Sequence, residues 1–202
     1  MSEATADASV DSSRRTWLIT SCAMGGVGAA AVAVPFVASF QPSERAKAAG
    51  AAVEVDVSQI APGQKVVVEW RGKPVWIMRR TEEQLASLEQ IEDQLADPLS
   101  KRTAYPTPEY AQNRHRSIKP EILVAVGICT HLGCSPGDKF TPGPQPSLPD
   151  DWKGGFFCAC HGSTFDLAGR VFRNKPAPDN LEVPPHHYVS DNILLVGEER
   201  SA

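Results

Sequence analysis

Four of the five cysteines in this sequence fall into two short groups, and each group also contains a histidine. The groups read Cys129-Thr130-His131-Leu132-Gly133-Cys134 and Cys158-Ala159-Cys160-His161-Gly162-Ser163. Thiolate and imidazole are the ligands of zinc and of iron–sulfur centres, whereas metals that prefer oxygen are held by carboxylates. The two groups therefore predict one metal centre bound between two loops.

The number and spacing of these residues favour an iron–sulfur centre over zinc. Six candidate ligands are too many for one tetrahedral zinc ion, and the spacing differs from the paired Cys-x-x-Cys of common zinc sites. In a Rieske two-iron centre, two histidines replace two cysteines on one iron, which matches the residue types found here. A membrane-tethered zinc-binding module stays open as an alternative.

Each motif directly follows a predicted strand, so a sheet must position both loops. Alternating or apolar runs bounded by turn residues predict strands at 53–57, 65–70, 75–78, 122–128, 155–158, 171–172 and 193–196. A capping box at Thr81 predicts one inserted helix from Thr81 to Ala96, ended by Pro98. The proline-rich stretch 135–150 is predicted to be a surface loop. The soluble part, residues 53–202, is thus mainly β and mostly antiparallel.

A long uncharged segment precedes this domain. Residues 16–40 form an apolar stretch that, as a helix rising about 1.5 Å per residue, can cross about 30 Å of hydrocarbon. Arg14 and Arg15 directly before it are typical of a twin-arginine export signal and keep residues 1–15 in the cytoplasm. A signal peptide cleaved near Ala31-Val32-Ala33 is the main alternative to a retained anchor, and a buried soluble helix is a third.

Residues 41–52 link the apolar stretch to the domain. Small residues without a large apolar side chain predict a flexible hinge here, although a passive spacer fits the segment equally well. The whole chain of 202 residues has a net charge of −4, which excludes a general nucleic-acid binder. Its 22% charged residues and 42% hydrophobic residues are typical of a folded protein.

With both motifs in view, the sequence resembles the Rieske proteins. The stretches 79–102 and 111–128 further resemble the iron–sulfur subunit of ubiquinol–cytochrome c reductase, and the resemblance runs from the twin arginines almost to the carboxyl end. This family implies a Rieske-type antiparallel β-sandwich with a cluster-binding subdomain at about 125–180. A single N-terminal transmembrane helix precedes the sandwich.

The same resemblance implies the roles of the motif residues. Cys129 and Cys158 hold the inner iron of one 2Fe–2S cluster, and His131 and His161 hold the outer iron and face the quinol. Cys134 and Cys160 form a disulfide. Further family features are a hydroxyl donor to the cluster at Ser163 and a covering proline loop at Pro176, Ala177 and Pro178. The residues outside the motifs are expected to be packing, surface or structural residues: Cys22, His115, His186 and His187.

Two positions depart from the family pattern. Many quinol-oxidising relatives have a tyrosine at the position of Phe165, where its hydroxyl donates to a cysteine sulfur. Loss of that hydrogen bond disfavours the more negative reduced state, so we expect a reduction potential below that of the tyrosine-containing relatives. Lys175 stands where many relatives have glycine, which leaves the local conformation of the proline loop open.

The function implied is electron transfer within an oxidoreductase complex. The chain would accept one electron from quinol at the cytochrome b site, with a proton on a ligand histidine, and carry it to a membrane-bound cytochrome c subunit. This step contributes to proton translocation by a complex expected to be dimeric. The complex lies in the lipid of the inner membrane, with residues 53–202 in the periplasm. The rival functions are a Rieske subunit of a periplasmic enzyme such as arsenite oxidase, and the zinc-binding module.

Overall fold

The computed structural model describes residues 12–102 and 104–199, and its contacts separate the units Met1–Lys47 and Ala48–Ala202. Helix α1 (Ser12–Ala38) lies in the first unit, and the short helix α2 (Glu44–Ala49) crosses the boundary. Helix α1 is apolar over most of its length, and none of its residues is buried. Its 27 residues are long and apolar enough to cross a membrane, a property that signal sequences share.

The described part of the second unit contains nine strands in three antiparallel sheets of three. The strands are β1 (Val53–Asp56), β2 (Lys65–Trp70), β3 (Lys73–Arg79), β4 (Ile122–Val126), β5 (Gly137–Lys139), β6 (Gly155–Cys158), β7 (Ser163–Asp166), β8 (His186–Tyr188) and β9 (Ile193–Val196). The strand orders are β1-β9-β8, β2-β3-β4 and β5-β6-β7. The predicted antiparallel β architecture is confirmed.

Strands β3 and β4 of the middle sheet are buried on both faces, which explains why all five residues of β4 are apolar. On one face, Val75 and Ile77 pack with Leu194 and Val196 of the first sheet. On the other face, side chains of the same two strands pack against residues of the third sheet and its loops: Trp76, Met78, Leu123, Ala125, Phe156 and Phe165. Alternate side chains of a strand point to opposite faces, so two separate cores share one sheet.

The helix predicted from Thr81 to Ala96 is much shorter in the structure. Its capping box is present, with the Thr81 hydroxyl accepting from the Gln84 N–H, but α3 ends at Ser87 (Glu82–Ser87). The Leu88 carbonyl then accepts a hydrogen bond from the Arg170 side chain, and Leu95 pairs with Phe172 as an isolated bridge. These distant partners take the backbone groups that a continuing helix would have used, although Leu88 and Leu95 remain fully buried.

Other expectations about local structure were incomplete. The stretch 135–150, predicted to be a loop, contains β5, which pairs with β6. The strand predicted at 171–172 forms only isolated bridges, and β7 and β8 were not predicted. In β8, which pairs with β9, His186 is only 1% exposed. His186 is therefore a structural residue, as expected, whereas Cys22 is exposed on α1.

Candidate metal centre

The first cysteine–histidine loop begins where β4 leaves the middle sheet. A Cβ atom at Gly127 would lie 2.2 Å from the Trp76 ring, so this close approach requires glycine. The loop then closes on itself, because the Gly133 N–H donates to the Cys129 carbonyl at 3.1 Å and the Cys129 N–H donates to the Cys134 carbonyl at 2.8 Å. Gly133 has a φ of 83°, a left-handed conformation that favours glycine.

The second loop repeats this construction at the end of β6. The Gly162 N–H donates to the Cys158 carbonyl at 2.9 Å, and Gly162 has a φ of 79°. In both loops the glycine lies four residues after a cysteine and returns the chain over it. The shared turn explains why each motif carries a glycine at this spacing.

Cys134 and Cys160 join the two loops in a disulfide across 26 residues of sequence. This confirms the pairing expected from the family resemblance. Cys129 and Cys158 remain as free thiols, and each is only 2% exposed. Burial raises the pKa of the Cys129 thiol, and hydrogen bonds from the His131 backbone N–H and the Ser163 hydroxyl oppose that effect.

The imidazoles of His131 and His161 lie close to each other and are more exposed to solvent than the two thiols. The rings of His131 and His161 are 4.7 Å apart between centroids and nearly perpendicular. His161 is exposed and His131 is half-buried, while Leu132 beside them is 71% exposed. The structure therefore brings together two buried thiols and two accessible imidazoles, which is the donor set of a Rieske centre. The residues present fit a two-iron cluster, and we keep their assignment as ligands for the proposal below.

Ser163 connects the second loop to the proline loop, which we define as Lys175–Pro178. The Ser163 hydroxyl oxygen accepts from the Ala177 N–H at 2.9 Å, which leaves its hydrogen free for a sulfur acceptor. Ser163 and Ala177 are buried, whereas Pro176 and Pro178 are exposed. Lys175 is half-buried and follows Asn174, whose φ is 57°.

Phe165 lies inside the core that contains both free thiols. It is fully buried on β7, opposite Phe156 of β6 in the strand register. A phenyl ring offers no hydrogen bond, so no donor comes from this side chain to the neighbouring sulfurs. The expected effect on reduction potential stays a prediction.

Buried arginines hold the chain between β7 and the proline loop. Arg170 Nε donates to Asp166 Oδ2 at 2.7 Å, and both side chains are fully buried. Arg116 donates to the carbonyls of Ala168, Gly169 and Leu181, and burial lowers its pKa to about 10. Sequence reasoning missed these contacts, because nothing local marks Arg116 as a residue that binds carbonyls 52 or more positions away.

A second grouping of ligand atoms does not define another metal site. The sulfurs of Cys134, Cys158 and Cys160 lie within 4.8 Å of one another. Two of these sulfurs are bonded to each other, so they cannot act as thiolate ligands while the disulfide is intact. The short distances between the three sulfurs show only that the disulfide lies close to the buried Cys158.

Comparison with known families agrees with this geometry. Residues 108–185 match the family described as "Rieske [2Fe-2S] domain", so the second unit contains a Rieske domain, the class of domain that binds a 2Fe–2S cluster. Residues 4–43 match the family described as "Ubiquitinol-cytochrome C reductase Fe-S subunit TAT signal". This range includes Arg14 and Arg15, so the match agrees with the predicted export signal.

The chain is also similar to curated proteins over nearly its full length. It is 53% identical to the ubiquinol-cytochrome c reductase iron-sulfur subunit of Allochromatium vinosum over 189 residues, which cover 94% of this chain and 90% of the relative. It is 38% identical to the same subunit of Bradyrhizobium diazoefficiens, covering 96% of this chain and 99% of the relative. The chain belongs to the family of ubiquinol–cytochrome c reductase iron–sulfur subunits.

A solved structure titled "Hyperthermophilic respiratory Complex III" contains a chain 28% identical to this one. The match covers 87% of this chain and 97% of that chain, with a TM-score of 0.47.

Proposed function

We propose that this chain is the mobile electron carrier of a ubiquinol–cytochrome c reductase complex, an oxidoreductase of the cytochrome bc1 type. It accepts one electron from quinol at a cytochrome b subunit and delivers it to a membrane-bound cytochrome c subunit. The observation that carries the proposal is the pair of accessible imidazoles, 4.7 Å apart, beside two buried free thiols. Membership of the iron–sulfur subunit family supports the assignment to this complex.

In this proposal, Cys129, Cys158, His131 and His161 are the residues that hold the cluster. The bound 2Fe–2S cluster supplies a one-electron acceptor and donor. Burial of both cysteines keeps water away from the thiolate ligands, and Ser163 supplies a hydroxyl hydrogen toward Cys129. A hydrogen bond to a sulfur ligand favours the reduced form, so Ser163 raises the reduction potential.

The exposed His161 is the residue that meets the quinol. An imidazole that ligates through one ring nitrogen keeps the other nitrogen for a hydrogen bond from a quinol hydroxyl, and that nitrogen receives the hydroxyl proton. His131 shares the same accessible surface. We place the quinol site on the cytochrome b partner, against the exposed His161 and the half-buried His131.

Helix α1 would anchor the subunit in the inner membrane, with the N-terminus in the cytoplasm and the Rieske domain in the periplasm. The export signal family matched by residues 4–43 and the disulfide, which is stable in an oxidising compartment, support this orientation. Replacing Arg14 and Arg15 by lysine should leave the domain in the cytoplasm. Protease protection in spheroplasts measures this, and normal export of the lysine variant would contradict the proposed route.

The function is tested on the native complex purified from membranes. The reduced complex should give the EPR spectrum of a two-iron centre, and an inhibitor of the quinol site should shift that spectrum. His161→Gln should abolish the signal, whereas His187→Gln, at a half-buried histidine outside the motifs, should preserve it. A zinc-bearing, EPR-silent protein would contradict the proposal, and so would a two-iron signal that does not respond to the inhibitor.

A further inference from the structure

The proline loop is held by contacts on both of its sides. On the side that faces the second motif, the Ala177 N–H donates to Ser163. Beyond the loop, the Asp179 carbonyl accepts from the Thr130 hydroxyl at 2.6 Å. Thr130 stands between Cys129 and His131, so this hydrogen bond fastens the end of the proline loop to the first motif.

The side chain of Arg102, which lies outside the two motifs, contacts the end of the proline loop. Arg102 Nη1 donates to the Pro178 carbonyl, and the same nitrogen lies 3.8 Å from the Asp179 carboxylate. The guanidinium thus contacts the two consecutive residues that follow the buried Ala177. Its planar group of several donors suits simultaneous contact with a carbonyl and a carboxylate.

The backbone that carries Arg102 is itself fixed. The Asp97 carboxylate accepts from the backbone N–H groups of Lys101 and Arg102, each at 3.0 Å, and Asp97 is 9% exposed. The Asp97 carbonyl accepts from Asn180 Nδ2 at 2.9 Å. Asn180 directly follows Asp179, so the turn that presents Arg102 and the end of the proline loop are tied together at a second point.

The exposure of the contact decides how much Arg102 contributes. Its side chain is 47% exposed and that of Asp179 is 13% exposed, so the ion pair is screened by solvent and is weak. The hydrogen bond to the Pro178 carbonyl is charge-assisted and is the stronger contact. Loss of Arg102 therefore loosens one peptide segment, while the buried Arg116 and Asn180 contacts still hold the fold.

We propose that Arg102 is a positioning residue for the cluster-binding surface. It fixes the Pro178–Asp179 segment and, through the Asp179 carbonyl and the Thr130 hydroxyl, the loop that carries Cys129 and His131. Arg102 is not one of the four proposed ligands and acts through its contacts with Pro178 and Asp179. The role rests on the proposed function, because it assumes that these loops hold the cluster.

The test compares Arg102→Ala with Arg102→Lys and with the control Lys101→Ala in the purified complex. Lys101 is exposed and adjacent, so its variant removes the same charge without removing the carbonyl contact. Hydrogen exchange is measured at the protected amides of Gly133 and Ala177, and the EPR spectrum of the reduced complex is recorded. We expect at least tenfold faster exchange in Arg102→Ala, which equals about 1.4 kcal/mol, together with an altered EPR line shape. Arg102→Lys should give a smaller change and Lys101→Ala none.

Two results would overturn the proposal. One is exchange in Arg102→Ala that matches Lys101→Ala at both amides. The other is equally faster exchange in β4 (Ile122–Val126), because it would show a general loss of stability and no positioning role. Failure of the proposed function is separate: it would appear as a missing two-iron signal in the unmodified complex, whatever the exchange rates of the variants.

Discussion

Phe165 gives the sharpest test of how this domain sets its reduction potential. The side chain is fully buried on β7 in the same core as Cys129 and Cys158. Phe165→Tyr adds one hydroxyl group at the position where, by the family resemblance, a tyrosine donates to a cysteine sulfur. A donor to sulfur stabilises the reduced state, which carries more negative charge, so the potential should rise.

The size of the rise follows from the energy of such a hydrogen bond. A hydrogen bond to a charged acceptor contributes about 1.5–3 kcal/mol. If roughly 1 kcal/mol of this is gained only on reduction, the potential rises by about 40 mV, because 1.4 kcal/mol corresponds to about 59 mV for one electron. This value lies well within the range of Rieske potentials, about −150 to +300 mV.

Protein-film voltammetry on the reconstituted subunit measures the change. The matched control is Phe156→Tyr, since Phe156 lies opposite Phe165 in the strand register and is also fully buried in the same core. The control adds the same oxygen and should leave the potential nearly unchanged. An unchanged or lower potential in Phe165→Tyr would refute the reasoning, as would an equal rise in both variants.

Three further predictions concern stability and motion. Burial lowers the pKa of His186 to about 4, so between pH 6.5 and pH 4 the unfolded chain binds a proton that the folded subunit does not, and the fold loses stability. Between pH 7 and pH 4, urea titration should show a loss about 3 kcal/mol larger in the unmodified subunit than in His186→Gln. Replacing Cys134 and Cys160 by serine should lower the unfolding free energy by about 3.5 kcal/mol, the chain-entropy contribution of a cross-link across 26 residues. Urea titration measures this loss. Proline at Ala51 and Ala52 should slow electron delivery to the cytochrome c partner, measured by flash kinetics, because a stiff hinge restricts domain movement.

Each of these has a control and a contrary outcome. Equal acid sensitivity of His186→Gln and the unmodified subunit would show that the pKa of His186 is not lowered in the folded subunit. Cys22→Ser removes a cysteine outside the disulfide and should leave the unfolding free energy unchanged, so a comparable loss there would contradict the disulfide argument. Serine at Ala51 and Ala52 preserves flexibility, and normal electron delivery in the proline variant would argue against a mobile domain.

Local sequence patterns predicted the strands with a clear apolar run and missed the short strands β5, β7 and β8, which lie in turn-rich or polar sequence. Strands β2, β6 and β9 begin and end where apolar patterns and turn residues placed them. The helix from Thr81 was overextended because its apolar spacing continues past Ser87, while its later carbonyls bind Arg170 and Arg173. Such long-range competition for backbone groups leaves no mark in the local sequence.

The candidate site was also predicted only in part. Residue type and spacing identified the cysteine and histidine motifs, and the family resemblance implied the disulfide. The support from Arg102, Thr130 and Asp179 could not be predicted, because arginine, threonine and aspartate are common on any polar surface. Their role depends on the fold, which brings Thr130 to Asp179, 49 residues away, and Arg102 to Pro178, 76 residues away.

The repeated glycine turns have a consequence for how the domain matures. Each turn is closed by a backbone hydrogen bond within its own loop, at Gly133 and at Gly162, so each loop has a closing contact besides the disulfide. The disulfide between Cys134 and Cys160 fixes the distance between the two loops. We therefore expect both turns to form while the cysteines are still reduced, and the later oxidation to link the loops without changing their local shape.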